Sequence, residues 1–307
     1  MKKQFLAMAL AVAGLFFGTA QQTLAEQIIA LTTSNQIITF DSATPGTTAA
    51  PIVITGLLAG ETIVGIDRRP VDGTLLGVSS GNRMYLINST TGVATQVGAD
   101  GAFTLNGTSF GFDFNPTVDR IRVTSNTEQN LRLNPNNGTL TATDTLLAFD
   151  NTTADGDPID PNAGTNPNIV GSAYINNFAG ASATTLYGLD SGLDILVTQD
   201  PPNAGNLNTV GSLGVNFNDN VGFDVSGLTG IAYAVLQPVG ANFSSLYTIN
   251  LTTGAATLVG QVGTGFILNG LAAPVGAAPV PEPTTMLLLG TGLVGIAARV
   301  RKRRAKS

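Results

Sequence analysis

The sequence predicts an all-β protein, a β-propeller-like fold of about five four-stranded blades. Three observations lead to this prediction. A short apolar element with a central glycine recurs at spacings of about 46 to 60 residues, an apolar strand follows it, and in most copies a strand–turn–strand unit comes next. Four strands in the same order within roughly 50 residues are typical of propeller blades.

The glycine-centred element ends in aspartate in three copies. These are Val-Gly-Ile-Asp at 64–67, Phe-Gly-Phe-Asp at 110–113 and Val-Gly-Phe-Asp at 221–224. Two variants, at 170–173 and 269–272, end in alanine instead. We expect the five copies to occupy equivalent positions in the fold, one in each blade.

The strand–turn–strand unit is clearest at 86–98 and 249–260, with a weaker copy at 131–142. Each copy places Thr-Gly or Asn-Gly between two runs of β-forming residues, which predicts a hairpin.

The repeats divide the chain into four complete blades and one composite blade. The complete blades are predicted at about 61–105, 106–150, 166–216 and 217–263. Segment 28–55 supplies three strands without the glycine-centred element, and 266–273 supplies that element alone. Pairing these two ends of the chain would close the ring and remove exposed sheet edges. Two β-sandwich domains are the alternative architecture.

Residues 1–25 are predicted to be a secretory signal peptide. Two lysines precede an apolar run at 5–17, and small and polar residues follow it. The run is short for a membrane span, and the order of the three parts is that of an export signal. We expect signal peptidase to cleave after Ala25, with Ala20 as the alternative.

Residues 280–307 form a tail with three parts. The first is the sorting-type motif Val280, Pro281, Glu282 and Pro283. The prolines make it rigid and extended. An apolar helix candidate follows at 286–298, and six basic residues end the chain. This order predicts a short transmembrane helix that anchors the chain transiently, with its basic end inside.

The tail resembles the PEP-CTERM sorting signal of Gram-negative bacteria. The resemblance implies recognition by an exosortase, cleavage near the motif, and transfer to the cell surface or release from it. A plain membrane anchor is the alternative.

The central domain, predicted at 26–279, resembles the family of domain of unknown function 4394. The resemblance is carried by the segments 107–123, 130–134, 176–180, 202–205 and 246–254. It implies a propeller-like scaffold and no assigned activity.

Composition excludes several chemistries. The chain has no histidine and no cysteine, which excludes Ser-His-Asp and Cys-His catalysis, zinc sites built from these residues, and disulfides. Without the signal peptide and the tail, six arginines face nineteen acidic residues, a net charge of about −13. Such a surface repels nucleic acid, which is not expected as a partner.

Asp67, Asp113 and Asp224 are the first candidate site residues, because equivalent positions in a propeller form a ring around its central channel. A ring of carboxylates would bind a cation or, in pairs, hydrolyse a glycosidic bond. The alternative is that each aspartate accepts hydrogen bonds from the backbone of a tight turn.

Asp155, Asp157 and Asp160 form a second candidate site. Alternating carboxylates in a polar loop suit calcium, although the closing glutamate of a calcium loop is missing. A solvated acidic loop is the alternative.

The arginines form a third candidate site. Arg68, Arg69, Arg120, Arg122 and Arg132 are all but one of the cationic residues of the central domain. They would either pair with the ring aspartates or bind the carboxylates of a polysaccharide.

We therefore expect an exported scaffold or binding protein of the cell envelope, cell surface or extracellular matrix, with extracellular polysaccharide as the expected partner and no catalytic residue assigned. The alternative is a carboxylate-dependent glycoside hydrolase or lyase on a five-bladed propeller, which rests on analogy of fold.

Overall fold

The computed structural model describes residues 25–153 and 158–277. These residues form five small sheets arranged as a five-bladed β-propeller, and no helix occurs among them. No described helix is therefore long and apolar enough to cross a membrane. The predicted signal peptide, apart from Ala25, and the predicted sorting motif and transmembrane helix lie outside the described residues.

Each sheet is one blade. The first strands of the chain are β1 (Gln27–Thr32), β2 (Gln36–Asp41) and β3 (Ile52–Val53). Blade 1 contains β4 (Ile63–Arg68), β5 (Leu75–Ser79), β6 (Met84–Ile87) and β7 (Ala94–Val97). Blade 2 contains β8 (Phe110–Asn115), β9 (Arg120–Ser125), β10 (Asn130–Leu133) and β11 (Leu140–Thr143).

The second half of the chain completes the ring. A two-residue strand, β12 (Ala148–Phe149), precedes blade 3, which contains β13 (Ile169–Tyr174), β14 (Leu186–Asp190), β15 (Ile195–Gln199) and β16 (Asn206–Ser212). Blade 4 contains β17 (Phe217–Val225), β18 (Ala232–Pro238), β19 (Ser245–Ile249) and β20 (Ala256–Gln261). The last strand is β21 (Leu268–Ala272).

Strands from both ends of the described chain form blade 5, in the order β21-β1-β2-β3. Ala272 lies opposite Ile29 in an antiparallel ladder, and Leu271 lies opposite Ala30. The predicted composite blade is therefore confirmed. The alternative of two β-sandwich domains is wrong, because each sheet has only four or five strands and all five belong to one ring.

The boundary between blades 2 and 3 differs from the prediction. The sequence predicts that blade 2 extends to residue 150, but β12 pairs in parallel with β16, the outer strand of blade 3. Phe149 is buried there and packs with Ile169, Val197 and Leu207. Burial of this phenylalanine decides the assignment, and it gives blade 3 a fifth strand.

The repeated hairpins share one turn geometry. In each, the glycine amide donates to the carbonyl oxygen of an asparagine four residues earlier, in the pairs Gly92–Asn88, Gly138–Asn134 and Gly254–Asn250. The glycines have φ of 75°, 68° and 81°, a region that side chains rarely adopt. The similar sequences of these hairpins therefore reflect the same requirement for a positive φ at the turn glycine.

The inner strands of the five blades approach one another at a ring of glycines. These are Gly65, Gly111, Gly171, Gly222 and Gly270. A Cβ added to Gly65 would lie 2.7 Å from the Cβ of Phe112, and one added to Gly222 would lie 2.5 Å from the nitrogen of Leu271. Because no side chain separates these strands, only about 10 Å³ is left along the axis, room for about one water molecule.

Candidate functional site

The structure brings the three ring aspartates together at the carboxyl ends of the inner strands β4, β8 and β17. Asp67, Asp113 and Asp224 are each 0% exposed. One carboxylate oxygen of each lies within 4.8 Å of the corresponding oxygens of the other two. We call these three residues the aspartate cluster.

Two members of the cluster accept hydrogen bonds on both carboxylate oxygens. The backbone N–H groups of Arg68 and Phe114 donate to Asp67 at 2.6 and 3.0 Å. Those of Val225 and Ala273 donate to Asp224, each at 2.6 Å. One donor in each pair follows the aspartate directly, and the other belongs to the next blade. The carboxylates therefore tie neighbouring blades together.

Asp113 departs from this pattern. The equivalent donor in the next blade is the backbone N–H of Tyr174, which offsets only part of the rise that burial causes in the pKa of Asp113. This N–H does not reach the geometry of a hydrogen bond, and both ionised carboxylate oxygens of Asp113 are buried without a partner among the described residues. The neighbouring carboxyl of Asp224 becomes a hydrogen-bond partner only when one of the two is protonated.

Burial raises the pKa of all three carboxyls, because it disfavours the charged form. For Asp67, repulsion by Asp224 adds to the effect of burial on the pKa. For Asp113, repulsion by both other members adds to it. The pKa of Asp224 is raised to about 7, since the hydrogen bonds from Ala273 and Val225 partly oppose burial.

Arg68 is the cation nearest to the cluster in sequence. Burial lowers the pKa of its guanidinium, and the attraction of Asp67 and Asp224 partly offsets this. Its Nε is buried without a hydrogen-bond partner, while Nη1 donates to the carbonyl oxygen of Gly73 at 3.3 Å. Arg68 therefore balances part of the negative charge without forming an ion pair with the cluster.

The aspartate cluster does not line an open channel. The residues around the narrow axial space are glycines, apolar residues, a serine and an asparagine of the inner strands, and the carboxylates are inaccessible to solvent. Nor do the aspartates lie in turns, since all three lie within strands. A glycosidase needs two carboxyls flanking the sugar bond, and these three do not reach a solvent-borne substrate. The expectation that the protein is not an enzyme stays a prediction.

The acidic loop is described only at one of its three candidate ligands. Asp160 is buried and accepts hydrogen bonds from the Thr209 backbone N–H at 2.5 Å, the Thr209 hydroxyl and the Asn162 backbone N–H. This network gives Asp160 a structural role. Asp155 and Asp157 lie outside the described residues, so the calcium site at this loop stays a prediction.

The arginines pair mostly with carboxylates other than the aspartate cluster. Arg69 of blade 1 forms a bidentate ion pair with Asp119 of blade 2. Arg122 and Arg132 share the carboxylate of Asp144, with Nη1 of Arg122 at 2.6 Å and Nε of Arg132 at 2.7 Å. The expected network with the ring aspartates is limited to the electrostatic attraction of Arg68.

Arg122 is the most completely enclosed of these side chains. It is 2% exposed, and besides Asp144 it donates to Asn130 and to Asn203, both at 2.7 Å. Its Nε lies 3.4 Å from the hydroxyl of Tyr174. The loop carrying Asn203 belongs to blade 3, so the guanidinium joins two blades.

A cleft of about 210 Å³ opens beside this arginine network. Its lining includes Arg120, Arg122, Arg132 and Tyr174. The only hydrogen bonds of the Arg120 guanidinium among the described residues go to the backbone carbonyls of Val118 and Asp119. Of the three guanidiniums that line the cleft, two share the carboxylate of Asp144, which leaves a net charge of about +2 for these four groups in a strongly acidic domain.

Sequence reasoning missed Asp144 and Asn203 as parts of this site. Neither belongs to the repeated elements, and they come together from a loop of blade 2 and a loop of blade 3. The segment 202–205 was singled out only as part of a family resemblance. No local pattern marks its asparagine as the partner of an arginine 81 residues earlier.

Comparison with known proteins identifies the tail. The model of the PEP-CTERM protein-sorting motif matches residues 279–304, which indicates an exported protein that is sorted by an exosortase to the cell surface or beyond. Among solved structures, a chain of the "Crystal structure of Nidogen/Laminin Complex" is similar, with a TM-score of 0.47 and 12% identity. The match covers 83% of this chain and 100% of that one.

No curated protein matches the chain significantly. The model of a domain of unknown function, DUF4394, matches residues 36–272, which is most of the chain and includes every strand of the five blades except β1. The protein therefore belongs to the DUF4394 family.

Proposed function

We propose that this protein is a non-enzymatic binding protein of the cell surface or extracellular matrix, and that its arginine-lined cleft binds the carboxylates of an acidic extracellular polysaccharide. The observation that carries the proposal is the cleft itself, which is lined by three arginines, only two of which share a carboxylate, that of Asp144. The sorting signal supports it by indicating an exported protein. The predicted transmembrane helix of the tail would anchor the chain until an exosortase cleaves it.

Two of the three arginines have different roles in this proposal. Arg122 is buried and hydrogen-bonded on several sides, so it positions the other groups and holds Asn203 in place. Within the described parts of the chain Arg120 binds only backbone carbonyls, so its guanidinium is the group most available to a carboxylate of the ligand. Planar guanidiniums suit carboxylates because they donate two parallel hydrogen bonds.

The acidic remainder of the domain does not prevent this binding. At physiological ionic strength the Debye length is about 8 Å, so distant carboxylates act weakly on a ligand in the cleft. The local excess of positive charge therefore decides the interaction, and affinity for a charged sugar chain should fall as salt is added.

Isothermal titration calorimetry of the exported protein with oligogalacturonate tests the proposal. We expect binding that Arg120→Gln weakens at least 10-fold, because a carboxamide loses the charge and the bidentate geometry, a difference of about 1.4 kcal/mol or more. Neutral dextran oligosaccharides of the same length are expected not to bind.

Arg83→Gln is the matched control. It removes the same charge from an arginine that pairs with Glu61 and Asp100 in blade 1, outside the cleft. Equal loss of binding in both variants would show that only the overall charge matters. Binding of dextran as strong as that of oligogalacturonate would likewise overturn the proposed ligand.

A further inference from the structure

We propose that the aspartate cluster binds one divalent cation of the calcium class, and that this ion locks the inner strands of blades 1, 2 and 4 together. The site is distinct from the arginine-lined cleft and from the acidic loop at Asp160. It would be a structural site, because its ligands are sealed from solvent.

The arrangement of oxygen atoms suits a single ion. One carboxylate oxygen from each of Asp67, Asp113 and Asp224 lies within 4.8 Å of the others. Oxygens bound to the same calcium at about 2.4 Å lie no more than about 4.8 Å apart. The three ligand groups are all carboxylates, and carboxylates favour hard cations such as Ca²⁺ over softer transition metals.

Asp113 provides the independent evidence for a ligand. In the ionised form, both of its carboxylate oxygens are buried and have no hydrogen-bond partner among the described residues. A hydrogen bond with Asp224 would require a proton on one of the two carboxyls. Buried polar groups in proteins nearly always have a partner, because desolvation is otherwise uncompensated. Since this carboxylate belongs to the cluster, its unused lone pairs lie beside those of Asp67 and Asp224. A cation at the centre would supply the missing partner.

The backbone donors of the other two aspartates favour their ionised forms. Each oxygen of Asp67 and of Asp224 accepts one N–H group. A carboxylate oxygen has two lone pairs, so each still has one available for a cation. Protonated carboxylic acids would be poorer acceptors for these four N–H groups.

The charges balance with a divalent ion. With the ion bound, all three carboxyls would be ionised and carry a charge of −3, and Arg68, which Asp67 and Asp224 attract electrostatically, contributes +1. One divalent cation brings the sum to zero, whereas a monovalent ion would leave a net negative charge in a buried place. Uncompensated buried charge is among the most costly arrangements in a protein interior.

Two blades lack the aspartate at this position, which limits the negative charge of the centre. At the equivalent positions of blades 3 and 5 stand Ala173 and Ala272, both fully buried. Five carboxylates in one ring would carry far more charge than one divalent ion and one arginine neutralise. A ring of three aspartates and two alanines thus fits a centre with three carboxylate ligands.

The test is metal binding by the exported protein. Because the cluster is sealed, the ion is expected to enter during folding, so the protein is unfolded and refolded in EDTA or in excess Ca²⁺ before dialysis. We expect about one Ca²⁺ per chain by mass spectrometry of the metal. At 100 times the dissociation constant, Ca²⁺ should raise Tm by about 5–10 °C relative to EDTA.

Asp113→Asn is the decisive variant, because it removes the charge and keeps the shape. It is expected to weaken Ca²⁺ binding at least 10-fold and to abolish the rise in Tm. The matched control is Asp160→Asn, which alters a hydrogen-bonded carboxylate of the acidic loop and should leave one Ca²⁺ per chain. If Asp113→Asn fails to fold, the measurements on the unmodified protein and on Asp160→Asn together decide the question.

Three results would overturn the proposal. The first is no bound Ca²⁺ and the same Tm in EDTA and in Ca²⁺. The second is binding that Asp160→Asn abolishes, which would place the ion at the acidic loop. The third is an Asp113→Asn variant that binds no less Ca²⁺ than the unmodified protein. If Asp113→Asn is also more stable than the unmodified protein in EDTA, the three carboxyls of the cluster instead share protons with one another.

Discussion

Asp224 and Ala273 join blade 4 to the closing blade: the backbone N–H of Ala273 donates to Asp224 Oδ2 at 2.6 Å. Gly222 lies two residues before Asp224. It packs directly against the backbone of Gly270 and Leu271, which come shortly before Ala273. The ring is therefore closed both by the ladder between β1 and β21 and by contacts between inner strands. This relationship makes the inner glycines sensitive positions.

We expect Gly222→Ala to destabilise the protein by about 3 kcal/mol, since its Cβ would lie 2.5 Å from the nitrogen of Leu271 and the backbone there cannot yield without opening the ring. Urea unfolding of the exported protein measures the effect. Gly46→Ala is the control, because the nearest atom to its Cβ is 3.9 Å away. If both variants are equally stable, close packing of the inner strands does not support the fold.

Loss of Asp144 is expected to cost about 3–5 kcal/mol of folding free energy, because Asp144→Ala leaves the buried guanidinium of Arg122 without its carboxylate. Asp72→Ala is the control. Its exposed carboxylate lies 3.7 Å from Arg69, and exposed ion pairs contribute about 0–1 kcal/mol. Equal values from urea unfolding of the two variants would contradict a special role for Asp144.

The ion pairs of Asp144 predict that the stability of the protein depends on pH. Burial acts to raise the pKa of Asp144, but the hydrogen bonds from Arg132 and Arg122 outweigh it, so the pKa is lowered. A lowered pKa contributes stability above the unfolded value of about 3.9, and this contribution is lost as the pH falls through the folded value.

The difference in Tm between the unmodified protein and Asp144→Asn should therefore be constant near neutral pH and shrink below about pH 4. Thermal unfolding followed by circular dichroism at a series of pH values checks this. The aspartate cluster is present in both proteins, so its own titration largely cancels in the difference. A gap that persists unchanged to pH 2 would refute the assignment.

Processing should remove both ends of the chain. We expect the exported protein to begin at Glu26, whose backbone nitrogen lies 2.9 Å from Ser42 Oγ and keeps that acceptor when cleavage turns it into an amino group. We also expect it to lack the basic residues 301–306. Intact-mass measurement and N-terminal sequencing of the exported form decide both points, and retention of the basic tail would argue for a plain membrane anchor.

Much of the fold was predictable because it depends on local, repeated features. Gly92, Gly138 and Gly254 mark the same turn in three blades, and a positive φ makes glycine nearly obligatory there. The five inner-strand elements were equally visible, since each needs a glycine where strands meet. The position of β12 was missed, because a two-residue strand has no periodicity and its pairing is decided by burial of Phe149.

The candidate sites were predictable only in part. The repeat predicts that Asp67, Asp113 and Asp224 are equivalent, but it does not show that they are sealed from solvent, which results from the close approach of five inner strands. Pairing of Arg122 with Asp144 and Asn203 depends on loops of two different blades. Neither loop contains a sequence feature that predicts its contact with the other.

By itself, the sequence determined the all-β repeat and the sorting tail, because each rests on residues close together in the chain. It also determined the closing of the ring, because each end of the chain supplies only the part of a blade that the other end lacks. The tertiary structure decided which charged side chains lie close together. It placed three carboxylates together at the axis and three guanidiniums around a cleft. Both outcomes depend on contacts between blades, and these exist only once the strands of separate repeats pack side by side.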